Sequence, residues 1–180
     1  MNGRTHLAIG LTLAAVAGAN TPWQFVAVGI GSLLPDIDNA GAIARPLENL
    51  LPRIIPHLGL VKTVDGVAEL TSKLVRKIFG HRGLTHWPVM VGLAWLLTDH
   101  LTPLALYVAL GWIAHIYADA LTQHGVPLGA PVSFDKVRLL PKLLAFRTGG
   151  LMEGILSWGL WGGLMAIATR AALVFVGVRL

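Results

Sequence analysis

The chain contains no cysteine. That excludes a disulfide framework and any metal site built on thiolates. Charge is scarce as well: only 13% of the 180 residues are charged, and just 9 are acidic. Internal repeats and low-complexity tracts are absent too. What fills the chain instead is apolar, 54% of it hydrophobic, with a mean hydropathy of +0.67. A soluble domain is not expected at that composition, and a membrane protein of one domain, residues 1–180, is. The net charge of +5 suits either nucleic acid or anionic lipid. The basic loops lack the interleaved aromatics of single-strand binders, so membrane lipid is the expected partner and nucleic acid is not.

Five apolar runs follow one another: Leu7–Gly18, Trp23–Leu34, Trp87–Thr98, Leu104–Leu121 and Gly154–Val178. Thr5 is placed to cap the first, and Pro22 suits the first position of the second. Pro35 biases the residue before it away from helix, so the second helix should end near Leu33 or Leu34. The first run with Arg4 and Ala17-Gly18-Ala19 imitates a cleaved secretory signal. Against that, its charged lead is thin and His6 abuts the apolar run; cleavage would remove His6.

Two polar excursions, 39–80 and 123–152, separate the runs. In the first, Val64, Val67, Leu70, Leu74, Val75 and Ile78 recur at helical spacing opposite Lys73, Arg76 and Lys77. That spacing predicts an amphipathic helix lying in the membrane interface. The fold class expected is all-α: an integral-membrane bundle of about five helices with that interfacial helix in the 39–80 insertion.

Order alone gathers the unusual polar residues. His6 starts the first helix, Asp36 and Asp38 follow the second, and His81 and His86 precede the third. His115 and Asp119 end the fourth, and Glu153 starts the fifth. In an up-and-down arrangement every one of these reaches the same side. Twelve of the fourteen Lys and Arg residues fall there too, with only Arg170 and Arg179 at the other end. Basic loops collect in the cytoplasm, so a multi-pass chain of the inner membrane, its polar cluster facing the cytoplasm, is expected.

Eight ionisable donors at one end of an apolar bundle are costly to bury without a cation. His115 and Asp119, at i and i+4, face one way along a helix. Four donors satisfy a tetrahedral zinc ion, so eight imply two ions, or one ion with acid/base groups. Imidazole mixed with carboxylate favours zinc, with manganese or iron as alternatives, over calcium or magnesium.

Several of these stretches resemble one family. His6, Leu34-Pro35-Asp36-Ile37-Asp38, His81-Arg82-Gly83-Leu84-Thr85-His86 and Gly111-x-x-x-His115-x-x-x-Asp119-x-x-Thr122 are similar to the pattern of the LexA-regulated, membrane-bound metal-dependent hydrolases. Phe146-Arg147-Thr148-Gly149 with Glu153 resembles that family's downstream pattern. Two departures stand out: Trp87 where the family tends to carry a small hydroxyl residue, and His124 as an extra imidazole. The resemblance implies hydrolysis by metal-activated water, with His6, Asp36, Asp38, His81, His86, His115 and Asp119 as the metal ligand set. Asp38 and Glu153 are then candidates for bridging or general-base work. Arg82 and Arg147 are candidates for holding an anionic group. A small-molecule or lipid-linked ester or phosphoester is the expected substrate. A metal-ion or proton-coupled transport protein, or a membrane protein with a purely structural metal, would use the same residues.

Overall fold

The structure is a computed structural model, and it describes residues 1–38, 69–70, 73–74, 77 and 84–176. Five α-helices appear among them: α1 (Gly3–Val16), α2 (Pro22–Leu33), α3 (Pro88–Thr98), α4 (Ala105–Ala120) and α5 (Leu151–Phe175). Two 3₁₀ turns, Leu34–Asp38 and Leu84–His86, lie directly after α2 and before α3. The described chain is all-helical, with only isolated bridges between Thr122 and Phe146 and between Val126 and Val137.

Local chemistry explains most boundaries. Pro22 opens α2, and Thr21 and Gln24 form a reciprocal capping box that satisfies its first N–H groups. α2 stops at Leu33 as expected, but Leu34 keeps right-handed helical angles and the chain tightens straight into the 3₁₀ turn that contains Pro35. Proline, which lacks an N–H, cannot continue the α-helical ladder. α1 departs from expectation: it begins at Gly3 with Asn2 at its cap position, so Thr5 lies inside the helix, buried, and caps nothing. α5 also begins early, at Leu151, which places Glu153 in its first turn.

α2 and α4 are the most closely packed pair, and glycine makes it so. A Cβ on Gly31 would collide with the Val108 carbonyl, and one on Gly111 with the Val28 carbonyl. α1 packs across both helices, α3 leans on α4, and α5 rests mainly on α1. An apolar core of Val91, Ala109, Trp112, Ile116, Ala120 and Val126 forms between α3, α4 and the segment after it.

That segment, the second polar excursion, is tied to the end of α4. Leu139 N–H donates to Ala120 O, Phe146 N–H to Leu121 O, and Gln123 N–H to Phe146 O. In the first excursion only 69–70, 73–74 and 77 are described. They are helical, with Leu70 and Leu74 exposed and Lys73 paired to Glu69 at 2.8 Å. The rest of the expected interfacial helix lies outside the described residues.

α5 is different in kind. Its apolar span runs Leu151–Val174, 24 residues among which only Glu153 is buried, and it alone among the described helices is long and apolar enough to cross a membrane. At 1.5 Å per residue that is about 36 Å, against about 30 Å of bilayer hydrocarbon.

Candidate metal centre

Five of the predicted donors meet where α1, α2, α4 and the turn before α3 converge. His6, His86, His115 and Asp119 are almost wholly buried, and Asp36 keeps 14% of its side chain exposed. They form two overlapping groups, His6–His115–Asp119 and Asp36–His86–His115, each with one donor atom per residue lying within 4.8 Å of the others. His115 belongs to both.

Two of the three imidazoles are oriented by groups outside the cluster. His115 Nδ1 lies 2.7 Å from the Ser32 carbonyl. A carbonyl can only accept, so Nδ1 carries the proton and Nε2 presents its lone pair. His86 Nδ1 lies 3.1 Å from the Thr85 hydroxyl. The turn carrying both residues is fastened to α4 by Trp112 Nε1–H, which donates to Thr85 O at 2.6 Å. His6 stacks on His115, ring centroids 3.7 Å apart and planes 12° from parallel.

The donor atoms converge without closing on one another. His6 Nε2 is 3.2 Å from Asp119 Oδ1. His86 Nε2 is 3.7 Å and His115 Nε2 is 3.9 Å from Asp119 Oδ2. Asp36 Oδ1 is 3.8 Å from His115 Nε2. Tetrahedral ligands held about 2.0–2.2 Å from one zinc ion stand roughly 3.3–3.6 Å apart. The His6–Asp119 pair, at 3.2 Å, is also within hydrogen-bond reach, while the others are slightly wider than a closed shell. Among the described residues, His6 Nδ1 and His115 Nε2 are buried with no hydrogen-bond partner. Buried imidazole nitrogens normally find a partner, so this donor set fits a divalent cation. The Met1 α-amino group, itself buried, donates to Asp119 Oδ1 at 2.5 Å; a positive group already stands against that carboxylate.

The remaining sequence candidates fall elsewhere. Glu153 is buried but lies outside both donor groups. One of its oxygens accepts the Asn2 N–H at 2.5 Å and the other the Gly149 N–H at 2.7 Å, which fastens α5 to the entry of α1. The Asp38 backbone ends the first 3₁₀ turn, but its side chain, like His81 and Arg82, lies outside the described residues. Arg147 and His124 are exposed, and His124 joins neither donor group. Trp87 packs edge-on against Phe134, centroids 5.6 Å apart. Sequence reasoning did not foresee Ser32, Thr85 and Trp112 as the residues that orient the imidazoles. Ser32 and Trp112 act through a backbone carbonyl and an indole N–H, which carry no pattern in sequence.

A family model described as YdjM inner membrane protein matches residues 1–180. The chain is 29% identical over 167 residues to a Bacillus subtilis (strain 168) protein described as Uncharacterized protein YvsG, covering 89% of each. No solved structure matches the chain.

Proposed function

Because the chain belongs to the YdjM inner membrane protein family and gathers this donor set, we propose that it is a metal-dependent hydrolase of the inner membrane. The observation that carries the reading is His115. Its Nε2 is buried, unbonded and shared by two groups of donors. With Nδ1 committed to Ser32, one imidazole serves one cation. The proposal is therefore a single principal ion on His115, taking its other ligands from His6, His86, Asp36 and Asp119. Zinc suits three imidazoles and two carboxylates, with manganese or iron as alternatives. A second ion would have to be bridged by a carboxylate.

A divalent cation bound there would supply Lewis acidity and bring the pKa of bound water down to near neutrality. The chain's own residues do the rest. Ser32 holds His115 in the ligating tautomer, and the Thr85 hydroxyl, able to donate or accept, steadies the His86 ring. Trp112 keeps the His86 turn against α4. Asp36, the least buried of the five, stands where water and substrate enter. Asp38, His81 and Arg82 keep the roles the family resemblance implies: base, further ligand and anion holder. Glu153, with both oxygens engaged by backbone N–H groups, fits a positioning role better than proton transfer.

The substrate proposed is an ester or phosphoester of lipid class. The exposed apolar faces of α3, α4 and α5 support a bundle embedded in lipid, the shorter helices of 11 to 16 residues included. The concentration of Lys and Arg on the donor side supports a site facing the cytoplasm. A metal that only ties the helices together is the second reading, drawn from the near-complete burial of four of the five donors.

Purified protein in detergent, assayed for bound metal and for hydrolysis of a chromogenic phosphodiester and a chromogenic ester, tests both. His115→Ala and Asp119→Ala should each lose the metal and cut turnover by more than about 100-fold, beyond what outer-shell changes cost. Unchanged metal content in both variants would sink the ligand assignment. Full metal content with no turnover on either substrate would select the structural reading.

A further inference from the structure

A cleft of 490 Å³ separates the first turn of α1 from the first three turns of α5. It is distinct from the donor cluster, and it combines three features. Arg4 stands in its wall, exposed, and makes no ion pair or hydrogen bond among the described residues. Trp158 and Trp161, three residues apart and so on one face of α5, form the opposite wall. Ser157 adds a half-buried hydroxyl. The one carboxylate of the cleft, Glu153, is buried, with each oxygen already held by a backbone N–H, so it does not neutralise Arg4.

We propose that this cleft seats the phosphate headgroup of a membrane phospholipid. A guanidinium is the side chain best matched to phosphate oxygens. Tryptophan concentrates at the level of lipid headgroups, one end apolar and the other wet. The volume falls within the roughly 300–1,000 Å³ common for small-ligand sites. Beyond the two indoles, Met165 lies seven residues from Trp158 and so on the same face of α5, exposed and apolar, continuing the surface along which acyl chains can lie. A soluble phosphate ester would use Arg4 but gain nothing from that surface. The seat does not depend on hydrolysis, because none of its residues is among the five converging donors.

The test follows the melting temperature of the full chain in a neutral detergent as ligand is added. Three ligands are compared: phosphatidylglycerol, diacylglycerol of the same chains, and glycerol phosphate. Phosphatidylglycerol should raise the melting temperature by roughly 5–10 °C at saturation, and diacylglycerol by far less. Arg4→Gln should remove most of the shift and Trp158→Ala a smaller part, with bound metal unchanged in both. Lys142→Gln, an exposed cation that does not line the cleft, should keep the shift. Four outcomes overturn the proposal: an equal shift with diacylglycerol, a full shift with glycerol phosphate alone, a shift that survives in Arg4→Gln, and a shift that disappears equally in Lys142→Gln.

Discussion

Two regions of this molecule obey opposite rules. Where α1, α2 and α4 converge, side chains as polar as histidine and aspartate are wholly buried, and the helices touch backbone to backbone through Gly31 and Gly111. Along α5 the most apolar side chains are exposed: Ile155, Trp158, Met165 and Ile167 are all more than half uncovered. In water this would be an inverted protein. In a bilayer both choices make sense, because lipid solvates the outside of α5 and burial costs the polar cluster least when a cation holds it together.

The contrast can be broken from either side. Met165→Arg puts a charge near the middle of α5, on a surface read as lipid-facing, where insertion should be disfavoured by about 2.5–3.5 kcal/mol. Its membrane-bound fraction after carbonate extraction should fall sharply, while any protein that does insert keeps its metal. An unchanged membrane fraction would mean that α5 does not cross. Gly111→Ala attacks the close-packed region. Wedging a methyl group against the Val28 carbonyl should cost about 1–3 kcal/mol and lower the melting temperature. Thr85→Val removes only the hydroxyl beside His86 Nδ1, so metal affinity, read by competition with a chelator, should drop about 10–100-fold while the fold persists. The smallest effect belongs to Lys73→Ala. Its pair with Glu69 lies fully in solvent, which screens it, so melting should barely move.

How far the sequence foretold this differs by kind of residue. The convergence of His6, Asp36, His86, His115 and Asp119 was legible from helix order alone, because alternating helices return their ends to the same side. The end of α2 was legible from Pro35. The start of α1 was not: Arg4, Thr5 and His6 look like a polar lead-in, yet Thr5 and His6 are buried inside the helix. A hydropathy pattern cannot tell a polar residue facing a ligand cluster from one facing water. Glu153 was visible as an outlier. Its clamp on the Asn2 and Gly149 N–H groups was not, since every residue but proline offers an N–H. The second polar excursion reads as a loop, but its backbone bonds to Ala120 and Leu121 lie between residues far apart in sequence.

The hydrogen bond from His115 to Ser32 has a mechanical side. The carbonyl that aims the imidazole belongs to α2, the ring to α4, and the spacing between these two helices is set by glycines one residue before Ser32 and four before His115. The gap between helices therefore works as a gauge for the angle of the ring. A side chain added at either glycine would spread the helices and swing Nε2 off its aim without touching a single donor. Variants at Gly31 and Gly111 consequently form a calibrated series, in which ligand orientation is detuned by helix separation while the chemical identity of every ligand stays fixed.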